Sequence, residues 1–112
     1  MSTGLIANLE KLIGTARDGA LLRYSLGSEL LKAGDRGRAI AELREALARD
    51  AGYSAAWKLL GKALAEERMP LEALEAFERG IEAAEAKGDR QAVKEMRVFA
   101  QRLRRQYAEP AG

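Results

Sequence analysis

The reactive side chains of this 112-residue chain are almost all carboxylates and cations, 17 acidic and 19 basic, with no cysteine and no histidine. Glu66 beside Glu67, and Glu72, Glu75 and Glu78 in series, are the groups that acid–base catalysis or Mg²⁺ binding would use. Spacing by three puts the series on the polar side of one helix, without a convergent partner, and that describes a solvated surface. Disulfides, zinc sites built from Cys or His, thiol nucleophiles and imidazole bases are ruled out by composition. Gly34-Asp35-Arg36-Gly37 has the glycines of a phosphate loop, but neither a Lys-Ser/Thr pair nor a strand before it. A turn between helices accounts for it. No nucleophile–base pair can be assembled, so no enzyme, catalytic residue, cofactor or metal site is expected. Arg102, Arg104 and Arg105 are the feature that points to RNA. A formal net charge of +2 and an aromatic share of 5% argue against nucleic acid as the partner.

These residues must be carried by helices. Ala, Leu, Glu, Lys and Arg dominate, and β-branched residues are scarce. Breakers divide the chain into six helical segments: Gly14 with Asp18-Gly19, Gly34-Asp35, Gly52, Met69-Pro70 and Gly88-Asp89. Gly34, Gly52 and Gly88 are expected to take the left-handed conformation that ends a helix. Asp35, Ser54 and Asp89 are expected to cap the next one, and Pro70 to open the fifth. Apolar residues recur at three and four, as in Leu71, Leu74, Phe77 and Ile81. The segment around Leu22, Leu26 and Leu30 is apolar over more than one stripe, which predicts a sandwiched helix. Asn8, Glu10 and Lys11 interrupt the first apolar stretch, so it does not read as a secretory signal. No uncharged apolar run approaches membrane-spanning length. The expected compartment is cytoplasmic, with no membrane partner.

Sliding the chain against itself by 34 residues aligns Leu26 with Leu60, Gly27 with Gly61 and Leu30 with Leu64. The register continues through Ala39 with Ala73, Ile40 with Leu74, Leu43 with Phe77 and Leu47 with Ile81. A Leu-Gly pair and a lone Ala at fixed offsets are not a chance match of amphipathic helices. With Trp57, Leu60, Gly61, Leu64, Ala73 and Phe77, the second copy resembles the tetratricopeptide-repeat (TPR) family, whose period is a 34-residue helix–turn–helix. The first copy keeps Leu26, Gly27, Leu30, Ala39 and Ala46. It departs at Arg23, where Trp is usual, and at Leu43, where Phe is usual. Leu64 stands at the usual Tyr, and Ala51 and Glu85 replace the proline. The whole chain resembles short stand-alone bacterial members of the family.

The resemblance implies an all-α, right-handed superhelix of antiparallel helix pairs in one domain, 1–112. Repeats over 20–53 and 54–87 are flanked by an N-terminal helix, 3–14, and a C-terminal capping helix, 89–107. Gly27 and Gly61 should let helices approach, answered by Ala39 and Ala73. Gly80, at a usual Ala, should contact the following helix. Trp57 should pack in the core and Tyr53 act as a lid. The acidic fifth segment should attract the basic sixth.

The family's concave groove, transferred by position, holds Leu21, Tyr24, Ser28, Leu31 and Lys32, then Ala55, Lys58, Lys62, Ala65 and Glu66. A one-residue shift in the last helix adds Arg90, Val93, Arg97 and Gln101. Whether the N-terminal helix covers Leu21 and Leu31 decides how much of this surface is free. Of the positions that clamp a C-terminal carboxylate in some members (Tyr24, Ser28, Leu59, Arg90 and Lys94), only the last two suit, so no clamp is expected. The implied function is a protein-interaction module, a scaffold, adaptor or chaperone-like holder of a peptide or helix with acidic character. The alternatives are an RNA-binding helical repeat, and a homo-oligomeric structural protein associating through residues 5–13 or an uncapped edge.

Overall fold

The computed structural model describes residues 2–108, with side chains over 4–108. Six helices follow in order: α1 (Ser2–Glu10), α2 (Ala20–Lys32), α3 (Arg36–Arg49), α4 (Ser54–Glu66), α5 (Pro70–Ala86) and α6 (Arg90–Gln106). Among the described residues there is no strand. Short turns fold α2 back on α3, α4 on α5 and α5 on α6, and the stack measures 53 × 30 × 21 Å.

Helix ends follow local chemistry. The Asp35 carboxylate accepts from Arg38 N at 3.2 Å and that of Asp89 from Ala92 N at 3.0 Å, each capping its helix. Pro70 opens α5. Gly34 and Gly88 end α2 and α5 with φ of 85° and 72°. Three expectations fail here. Gly52 is not left-handed: α3 has already ended at Asp50, whose carboxylate takes the Gly52 N–H at 3.0 Å. Ser54 is the first helical residue, not a cap, and Tyr53 precedes it without a side-chain hydrogen bond. The helix expected over 3–14 ends at Glu10, where Leu12 N and Ile13 N bond three residues back, to Leu9 O and Glu10 O.

After α4 the left-handed residue is Arg68, at φ 59°. A Cβ in that conformation costs roughly 1–2 kcal/mol, partly offset because glycine gives the unfolded chain more freedom. Arg68→Gly should therefore raise stability by about 0.5–1 kcal/mol, a few degrees in a calorimetric melt. A lower melting temperature would mean that the Arg68 side chain contributes something no contact shows.

The core runs through α3 to α6, with Phe77, Leu43, Leu64 and Met96 fully buried. Glycine notches close it. A Cβ at Gly27 would lie 2.8 Å from Leu43 Cγ, and one at Gly61 would lie 2.6 Å from Phe77 Cε1. At Gly80 it would meet Met96 Sδ and, at 2.8 Å, Trp57 Cβ. The residues that fill the notches at Gly27 and Gly61 are thus Leu43 and Phe77, themselves one repeat apart. Ala39 and Ala73 are fully buried, and the Ala39 carbonyl oxygen lies 3.3 Å from where a Cβ at Gly27 would stand. Leu26, Leu30, Ala46, Leu60 and Leu64 are buried as the repeat pattern expects.

The two helix pairs are zipped differently. Trp57 Nε1 donates to Ala51 O at 2.8 Å, tying α4 to the end of α3, and the Arg79 guanidinium stands 5.8 Å from its ring centroid. Arg23, one repeat earlier, lies in an ionic network instead. Its Nε and Nη2 donate to the two Asp18 oxygens at 2.9 and 3.0 Å, and its Nη1 donates to Glu42 Oε1 at 2.8 Å. These side chains are only 12%, 10% and 16% exposed. The Arg23 hydrogen bonds, helped by the Gly14 amide, hold the Asp18 carboxyl far below the usual range.

Candidate functional site

On one face of the stack α4 and α6 lie side by side, and a channel runs between them. It consists of two adjoining hollows of about 420 and 360 Å³ that share Lys62, Phe99 and Arg102. Lys58 and Lys62 stand on the α4 wall, with Ala65 and Glu66 toward its far end. Gln91, Lys94, Glu95, Val98 and Arg102 stand on the α6 wall. Phe99 stacks on Phe77, with centroids 5.5 Å apart and planes inclined at 17°. The Lys62 ammonium sits 5.4 Å from the Phe99 ring centroid.

The electrostatics of the channel are one-sided. Lys58 Nζ donates to Glu95 Oε1 at 2.9 Å, and Gln91 Nε2 to Glu95 Oε2 at 3.4 Å. Those bonds, Lys58 first, lower the Glu95 pKa and keep it ionised. Helix α6 carries six cations and one carboxylate. Arg97 and Arg104 are spent on Glu85 and Glu78 of α5, at 3.0 and 2.8 Å, which is the attraction expected between the acidic and basic helices. Lys62, Lys94 and Arg102 have no ion-pair partner among the described residues, so the channel keeps unpaired positive charge above a partly apolar floor. Among the described residues there is no cluster of metal-ligating side chains and no helix long and apolar enough to cross a membrane.

No protein-family model matches the chain. Over 101 residues it is 45% identical to the TPR repeat-containing protein PA0015 of Pseudomonas aeruginosa, covering 90% of this chain and 96% of that one. The chain belongs to the tetratricopeptide-repeat family. Its fold, a superhelix of antiparallel TPR helix pairs, is that of the solution structure of BPP2914 from Bordetella parapertussis. That likeness has a TM-score of 0.80 at 39% identity, over 93% of this chain and 90% of that one. The Sgt2 TPR domain of Aspergillus fumigatus superposes with a TM-score of 0.79 at 25% identity, over 99% of this chain and 75% of that one. TPR domains are protein-interaction modules, and typically non-catalytic.

The TPR groove residues transferred by position divide into three groups. Lys58, Lys62, Ala65 and Glu66 line the channel, while Ala55 is half-buried at the start of α4. On α2, Leu21 is 70% exposed. Tyr24 packs on Tyr53 with centroids 5.0 Å apart, as a lid residue would, and burial raises the Tyr53 hydroxyl pKa. Ser28 and Leu31 are half-buried, and Lys32 is exposed and paired with Glu29 at 3.0 Å. Helix α1 packs through Ile6 and Leu9 on Leu26, Leu30 and Ala39, a cluster that half-buried Leu31 also joins, and leaves Leu21 uncovered.

The third group adjoins the channel rather than lining it. Arg90, Val93, Arg97 and Gln101 lie around a neighbouring hollow of about 790 Å³ beside Glu85, which shares Gln91, Lys94 and Val98 with the channel, and Val93 is buried. The buried stripe of α6, Val93, Met96, Ala100 and Leu103, sets the rotation of that helix. Its phase makes Lys94, Val98 and Arg102 the counterparts of Lys58, Lys62 and Glu66, a displacement of 36 residues. The one-residue shift falls short by a further residue, because Ser54 has the side chain of a cap and yet is helical. The helix starts, Ser54 after Tyr53 and Arg90 after Asp89, carry the correct displacement.

Proposed function

We propose that this TPR protein holds an acidic segment of another polypeptide in the α4–α6 channel, as a scaffold, adaptor or chaperone-like module. The domain divides into repeats 20–53 and 54–87, with α1 and α6 as end helices. What carries the reading is the pairing of apolar Val98 and Phe99 with Lys62, Lys94 and Arg102, none of which forms an ion pair with a described residue. An apolar contact supplies affinity, and the cations select and steer acidic partners. RNA would meet the same cations. However, Phe99 is stacked on Phe77 and topped by Lys62 rather than free to stack a base, so a peptide is the better fit.

Selection from a random peptide library should enrich Asp, Glu and aliphatic residues. The double variant Lys62→Glu/Arg102→Glu should bind the selected peptides about tenfold or more weakly than the parent, since both sites change sign. The affinity of the parent should fall with added salt. Equal binding by parent and double variant would remove the channel from the site.

A further inference from the structure

We propose that α1 and the loop over residues 11–19 form a detachable cover, held on the α2–α3 pair by the Asp18–Arg23–Glu42 ionic latch more than by apolar burial. The grip of α1 is slight. Ile6 is its one buried side chain among the described residues, assisted by half-buried Leu9, while Leu5 is exposed. Its ion pair, Glu10 with Arg38, is exposed and contributes little. The loop is held more firmly. Asp18 takes two hydrogen bonds from Arg23, accepts the Gly14 N–H at 2.9 Å and lies 3.6 Å from Arg49. Gly14 is left-handed, at φ 80°, so the loop turns where the latch grips it. In the second helix pair the same position is Trp57, and the preceding turn joins helices that are both deep in the main core. Opening the latch therefore frees α1 and its loop together. It strips one cover from Leu26, Leu30 and Ala39 without disturbing the core from α3 to α6. This reading is independent of the channel.

Residue-resolved amide hydrogen exchange of the full chain tests it. In the parent protein, amides of residues 6–13 should exchange faster than those of α4 and α5, through an opening smaller than global unfolding. Arg23→Met, or the milder Asp18→Asn, should speed exchange at residues 6–13 about tenfold, because the latch is broken whenever the cover lifts. Leu103→Ala, far away in α6, should speed exchange in α4 and α5 and leave residues 6–13 unchanged. Two results would overturn the proposal. One is protection of residues 6–13 in the parent equal to that of α4 and α5. The other is exchange at residues 6–13 that responds to neither latch variant.

Discussion

Replacing Gly61 by leucine should abolish the cooperative thermal transition. A single methyl group at that position would already stand within 2.6–2.8 Å of three ring atoms of Phe77. The Phe77 ring has nowhere to go, since it is 2% exposed and stacked on Phe99. Gly61→Ala alone should cost about 1–3 kcal/mol, because α4 and α5 must part or the ring must leave its rotamer. Leucine adds three further carbons in the same place, and that exceeds what a marginally stable domain can absorb. Circular dichroism during heating should show no sigmoidal loss of helix. A melt within a few degrees of the parent would mean that α4 and α5 do not meet at this notch.

Trp57→Ala should cost about 3–5 kcal/mol and lower the melting temperature by roughly 10–20 °C. Three contacts go at once: packing of the half-buried indole against the main core, the bond from Nε1 to Ala51 O and the Arg79 guanidinium over the ring. Trp57→Phe separates them. It keeps most of the packing and should lose only about 1 kcal/mol for the missing hydrogen bond. Were Trp57 a binding anchor instead, Trp57→Ala would keep its stability and lose peptide.

The stacking was legible because it rests on residues that tolerate no substitute. Gly27 and Gly61 must lack a side chain where Leu43 and Phe77 enter, so the Leu-Gly offset in the sequence maps directly onto contact. The fold followed from that offset. The rotation of α6 did not, because it depends on where a helix begins. Ser54 has the chemistry of a cap but sits one residue inside α4, and that single step puts Arg90, Val93 and Arg97 around the neighbouring hollow instead of the α4–α6 channel. Glu95, Val98 and Phe99 were missed for the same reason.

Other features have no local signal at all. Arg68 takes a left-handed conformation that residue type disfavours, because the chain must turn between α4 and Pro70. Arg23 at a usual Trp position reads as a weakened repeat. Its role appears only when Asp18, five residues back, and Glu42, nineteen residues on, are seen to converge on it.

The most direct test of the channel is an NMR titration of the ¹⁵N-labelled chain with a peptide selected for binding. Shift changes should centre on Lys58, Lys62, Lys94, Val98, Phe99 and Arg102, with smaller effects reaching Leu21 and Ser28 on α2. Changes centred instead on Arg44, Glu72 and Arg79, on the opposite side of the stack, would place binding on the outer face and contradict the proposal.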